Sequence, residues 1–152
     1  MAKHSVSASA LIPAPAPRVY GLIADYRNGH PRILPKPYFV SLDVEQGGYG
    51  EGTVIDFKMK IMGQIQSFHS RVTEPEPGRV LVETDMNSGT ETTFTVEPRS
   101  QDSQSLLTIT TTLNVPEGLI GRLQGWLTSR LLQPIYEKEL EQLASVAGEQ
   151  NV

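Results

Sequence analysis

The chain alternates apolar and polar side chains almost from its first residue. Over 3–12, His4, Val6, Ala8, Ala10 and Ile12 fall on one side and Ser5, Ser7 and Ser9 on the other. That is the pattern of a strand with one face buried. Prolines follow at 13, 15 and 17. Proline suits the first turn of a helix, where its missing N–H would have no partner anyway. Val19, Leu22, Ile23 and Tyr26 then recur at helical spacing. Asn28-Gly29 stops that helix, and 30–34 read as a short second helical turn before Pro35 and Pro37.

Beyond this point the period changes to two. Residues 38–45 place Val40, Leu42 and Val44 on one face, and 53–62 place Ile55, Phe57, Met59 and Ile61 inward. Residues 64–73 do the same with Phe68, Ser70 and Val72, and 80–85 with Leu81 and Glu83. Two threonine-rich segments, 90–97 and 106–115, suit a pleated sheet. Gly63, the 75–78 segment and Asn87-Ser88-Gly89 supply turns. Seven strands joined by hairpin-length links predict an antiparallel sheet. Residues 117–147 predict a helix of roughly 45 Å. Its first half carries a stripe at Ile120, Leu123, Leu127 and Leu131, and its second half one at Tyr136, Leu140, Leu143 and Ala147. At ~100° per residue these stripes point in nearly opposite directions. Pro134 lies between them. A kink or break near 130–134 is therefore expected, turning the second stripe toward the sheet.

Composition narrows the classes. The chain has 152 residues and no linker that would divide it, so one domain over 1–152 is expected. The absence of cysteine excludes a disulfide frame, a thiolate nucleophile and a Cys-ligated metal. A net charge of −4 argues against nucleic acid as a partner. No run approaches the ~18 apolar residues of a membrane span, and the first twelve residues lack the apolar core of a secretory signal. A cytoplasmic protein without an integral membrane segment is expected. The histidines at 4, 30 and 69 have no metal-binding spacing. The 47–52 glycine loop lacks the GK[ST] ending of a phosphate loop and joins two strands. No metal site and no cofactor are expected.

Three stretches carry a resemblance: Ser9-Ala-Leu-Ile-Pro-Ala-Pro-Ala-Pro-Arg-Val-Tyr-Gly-Leu-Ile-Ala-Asp-Tyr26, Arg71-Val-Thr-Glu-Pro-Glu-Pro-Gly-Arg-Val-Leu81, and the closing 118–147 helix. With the order of elements, they make the chain similar to the START/Bet v 1-like (SRPBCC) superfamily, in its polyketide cyclase/dehydrase-like branch. The resemblance implies an α+β helix-grip fold. In it a seven-stranded antiparallel sheet curves around a long C-terminal helix, with one or two short helices after the first strand. It also implies a deep cavity for an apolar small molecule, lipid or polyketide. Members include carriers, sensors and cyclases, so fold alone does not choose among functions.

The inward residues Ile55, Phe57, Met59, Phe68, Leu81, Phe94 and Ile109, with Leu123 and Leu127 from the helix, are the candidate ligand wall. The alternative is that they pack against one another as ordinary core. Gly118, Gly121 and Gly125 weaken the helix by roughly 1 kcal/mol each relative to Ala. Room for a ligand beneath Gly121 and Gly125, or close approach of a neighbouring strand, would offset that cost. Glu83 shares a face with Leu81. Facing inward it is a candidate general acid or hydrogen-bond anchor, whereas a one-residue slip would put it in water. Tyr20 and His30 are the other candidates for proton transfer, and Gln66, Ser70, Thr92 and Thr111 are candidate polar points. The first expectation is binding or transport of a hydrophobic small molecule, by a protein compatible with a homodimer. The alternatives are a polyketide cyclase, aromatase or dehydratase acting in the same cavity, and a protein-interaction module using Leu119 and Trp126.

Overall fold

The structure is a computed structural model and describes residues 1–149. The alternating N-terminal segment forms β1 (Ala2–Ile12), and the proline-led segment forms α1 (Ala16–Ala24), with Pro15 at its N-cap. Then come α2 (His30–Ile33), β2 (Phe39–Gln46), β3 (Val54–Ile61), β4 (Gln64–Glu76), β5 (Val80–Asp85), β6 (Glu91–Arg99), β7 (Gln104–Val115) and α3 (Leu119–Gly148). The sheet order is β1-β7-β6-β5-β4-β3-β2, and every pairing is antiparallel. This is the α+β helix-grip architecture: one seven-stranded sheet, two short helices after β1, and a long terminal helix.

Hairpins β2 to β7 follow the turn residues. Met62 and Gly63 both take positive φ, 52° and 76°, so the link from β3 to β4 is a two-residue turn matched to strand twist. The strand β1 closes against β7 over its whole length. On the outer face three hydroxyl pairs bridge them, Ser5 with Thr112, Ser7 with Thr110 and Ser9 with Thr108, each at 2.9 Å. The inner face buries Val6, Val72, Leu81, Val96, Leu107 and Ile109 against α1 and the second half of α3.

Two expectations need correction. Val40 does not share an inner face with Leu42. The β2–β3 register shifts between Phe39 and Ser41, and this bulge leaves Val40 exposed. Nor does the terminal helix break near 130–134, since α3 runs without interruption through Pro134. Pro134 and Arg130, whose carbonyl loses its helical partner, are both exposed, so water can serve that carbonyl. No re-aiming is needed either. The inward stripe runs through Gly121, Gly125, Ser129, Leu132, Tyr136, Leu140 and Leu143, at steps of three and four along the whole helix. The stripe at Ile120, Leu123 and Leu127 lies on the exposed side.

The glycines explain why. A Cβ on Gly121 would stand 1.4 Å from the Pro116 carbonyl oxygen, and one on Gly125 would stand 2.6 Å from His4 Nδ1. The helix therefore lies directly on the chain at these positions, leaving no space for a ligand beneath them. Beside Gly125, His4 Nε2 and Ser129 Oγ share a 2.8 Å hydrogen bond, and Gln133 Nε2 donates to the Ser7 carbonyl at 3.0 Å. Among the described residues no helix is long and apolar enough to cross a membrane.

Candidate functional site

Between the inner face of the sheet, α2 and α3 lies a cavity of about 380 Å³. Its apolar wall comes from alternate residues of neighbouring strands, as the pleat requires. Phe57 and Phe68 are opposite one another on β3 and β4 and stack at 5.0 Å, and Phe39 tilts against Phe57 at 6.3 Å. Ile55, Met59 and Phe94 complete the wall.

Several polar groups of the lining surround Glu83. Glu83, on β5, is only 8% exposed and lines the cavity. The Tyr26 hydroxyl donates to Glu83 Oε2 at 2.6 Å, and His30 Nε2 stands 3.5 Å from the same oxygen. Two local devices hold these partners. Asp25 is extended and ends α1, and its side chain accepts from the N–H groups of Arg27 and Asn28. The Tyr26 N–H then donates to the Gly48 carbonyl, which turns the ring inward. His30 stacks on Tyr26 at 4.4 Å, and its Nδ1 lies 2.7 Å from the Ile23 carbonyl. A carbonyl only accepts, so Nδ1 carries the proton and Nε2 faces Glu83. Burial, then the Glu83 charge, pushes the Tyr26 hydroxyl well above the usual tyrosine range, so it remains a donor.

The helix supplies the other side. Tyr136 shares a hydrogen bond with Thr111, which is linked to Thr92 at 2.8 Å. Burial pushes the Tyr136 hydroxyl up to about 12. Glu139 is 2% exposed. Burial first, and the charge of Glu83 second, raise its carboxyl well above the usual carboxylate range. That carboxyl makes no hydrogen bond with any described residue. No fully enclosed side-chain oxygen among the described residues lacks a partner, so the Glu139 oxygens open onto the cavity that the residue lines.

The profile of the family described as polyketide cyclase / dehydrase and lipid transport matches residues 3–148. The chain belongs to this family. A search of curated proteins gave no match. Solved structures of similar fold include the KanY protein, at 25% identity and a TM-score of 0.78, covering 97% of this chain and 99% of that one. A START superfamily protein from Mycobacterium smegmatis is 16% identical with a TM-score of 0.74, covering 96% and 98%. The Zhui aromatase/cyclase from a Streptomyces species is 15% identical with a TM-score of 0.76, covering 98% and 96%.

In this member of the polyketide cyclase/dehydrase and lipid-transport family, the residues expected from the sequence divide into groups. Ile55, Phe57, Met59, Phe68, Glu83, Phe94 and His30 line the cavity, as do Gln66, Ser70, Thr92 and Thr111. Leu81 and Ile109 are wholly buried but belong to the packed core behind it. Four helix positions lie elsewhere. Leu123 and Leu127 are 58% and 46% exposed, because they sit on the outer side of α3. Gly121 and Gly125 touch Pro116 and His4 and leave no space. Tyr20 also stands apart, since its hydroxyl donates to Glu74 Oε2 at 2.7 Å and neither residue lines the cavity.

Sequence reasoning missed Tyr26 as a site residue, and missed Tyr136 and Glu139. Glu139 carried a signal: it stands three residues after Tyr136 and four before Leu143, inside an apolar stripe. Outside the cavity, Glu45, Asp56 and His69 bring ligand atoms within 4.8 Å of one another across β2, β3 and β4. Three strands supply them, so no spacing along the chain could have shown the cluster.

Proposed function

We propose that this protein binds a hydrophobic small molecule in the cavity between sheet and α3, as a carrier or receptor. The observation that carries the reading is a space of about 380 Å³ with an aromatic wall and a small set of buried polar groups around Glu83. Small-molecule sites run about 300–1,000 Å³ with that same division. Membership of a family that includes lipid transport supports it. The test is native mass spectrometry of protein purified without detergent, before and after organic extraction. A non-covalent mass increment that extraction removes is expected. Protein that is always empty, and that shows no thermal shift with aromatic or acyl-chain probes, refutes the reading.

One arrangement favours a second reading, an enzyme of cyclase or dehydratase type. Glu83 accepts from a phenol and lies 3.5 Å from an imidazole nitrogen that carries no proton, so a proton taken by the carboxylate can pass to that nitrogen. Positioned acid–base groups typically contribute 10²–10⁴-fold to a rate. For this reading Glu83→Gln abolishes turnover of a β-diketone probe while the protein stays folded. Undiminished turnover rules it out.

A further inference from the structure

The polar lining of the cavity has a definite sign of charge. Three carboxyl groups line the cavity, those of Glu83, Asp85 and Glu139. Among the described residues no Lys or Arg side chain does so, and the one basic group is the His30 imidazole. Asp85 stands as a fixed negative charge. Burial alone would raise its carboxyl, but hydrogen bonds from the Ser88 hydroxyl and the N–H groups of His69, Ser88 and Asn87 hold it below the usual range. Glu83 has Tyr26 and His30 beside it. Glu139 lines the cavity with a carboxyl 2% exposed and, among the described residues, makes no hydrogen bond. A buried polar group without a partner is costly unless something that occupies the space completes it.

We infer that Glu139 is the anchor of a polar subsite for a protonated amine on the hydrophobic ligand, with Glu83 as the second carboxyl facing it. The inference rests on the ligand-binding reading and specifies the ligand's chemistry. An ammonium N–H donates to a Glu139 oxygen, a charge-assisted bond roughly twice as strong as a neutral one. The cation also counters the Glu83 charge that, after burial, raises the proton affinity of Glu139. Phe94, whose ring meets that of His30 edge-on at 5.6 Å, puts an aromatic ring beside these polar groups. An anionic head has the opposite fate. A carboxylate or phosphate would enter a low-dielectric space facing three acids and no Lys or Arg, so free fatty acids and phospholipid headgroups are excluded from this subsite.

The test uses three probes of equal length: 4-phenylbutylamine, 4-phenylbutanol and 4-phenylbutyrate. Each is titrated by calorimetry at pH 7 into the wild type, Glu139→Gln and Glu139→Leu. The wild type should bind the amine at least ~10-fold tighter than the alcohol and show no detectable butyrate binding. In both variants the amine preference should fall below ~3-fold while alcohol affinity stays within that range. The isosteric Gln variant carries the test should the Leu variant fail to fold. An alcohol bound as tightly as the amine, or a preference that survives both substitutions, overturns the inference and leaves the ligand-binding reading standing. If none of the three binds, the hydrophobic-cavity reading falls and the inference falls with it.

Discussion

Tyr26→Phe removes one oxygen and leaves the ring in place, so it isolates the bond that holds Glu83. In the wild type that bond is 2.6 Å long, Tyr26 is fully buried and Glu83 nearly so. A hydrogen bond to a charged group contributes about 1.5–3 kcal/mol, and among the described residues the orphaned carboxylate gains no other donor, since His30 Nε2 at 3.5 Å carries no proton in this tautomer. We therefore expect a loss of about 2 kcal/mol. For a chain of this length each kcal/mol moves Tm by roughly 2–4 °C, giving a fall of about 4–8 °C. Urea unfolding followed by circular dichroism gives the free energy, and an unchanged denaturant slope shows that the compactness of the two states is preserved. The same substitution in a Glu83→Gln background tests the charge. There it should cost only about 0.5–1.5 kcal/mol, the range for neutral partners. A single variant within ~0.5 kcal/mol of wild type, or equal losses in both backgrounds, would show that the phenol does not hold a buried carboxylate.

Three further outcomes follow from the same geometry. Glu139 binds its proton more tightly folded than unfolded, so its contribution to stability is complete below about pH 4.3 and is lost as pH rises. The Tm of Glu139→Gln relative to wild type should therefore climb from pH 4 to pH 8, and a constant difference contradicts the raised proton affinity. Gly121→Ala should cost about 1–3 kcal/mol in chemical denaturation despite its better helix propensity, because the new methyl meets the Pro116 carbonyl. Gly148→Ala, with nothing within 4 Å, should be neutral or gain up to about 1 kcal/mol; the reverse order would refute the close seat of α3. Leu123→Ser should change stability by less than ~0.5 kcal/mol, whereas Leu81→Ala should cost about 2–5 kcal/mol, and comparable losses would place Leu123 indoors.

The order of elements was legible because the sequence punctuates it. Serine alternation marked β1, prolines opened α1, and the glycine and asparagine turns separated strands whose period of two needs no tertiary information. The inward faces of β3 and β4 followed from that period, so Phe57, Met59 and Phe68 could be assigned. Sidedness on α3 could not. Periodicity reveals that Leu123 and Leu127 share a face, but not that the opposite face, poor in side-chain volume at Gly121 and Gly125, is the one pressed to the sheet. Glu139 was hidden by its neighbours, since Glu137, Lys138 and Glu141 are solvent-exposed charges of the ordinary kind. The sequence places Tyr26 in the apolar helical stripe of α1 and makes Tyr20 the candidate tyrosine for proton transfer. Both are buried, but α1 ends at Ala24 and the extended Asp25 turns Tyr26 onto Glu83, whereas Tyr20 donates to Glu74.

Glu83 and Glu139 ride on different bodies, one on a strand and the other on the second half of the helix that spans it. The separation of the two acids is then set by how high α3 sits above β5, and that half of the helix is tied down by Gln142 Nε2, which donates to the Arg32 carbonyl, and by Arg18 Nε, which donates to the Ala147 carbonyl. A substitution at those supports would retune proton affinity inside the pocket without touching a single residue that lines it.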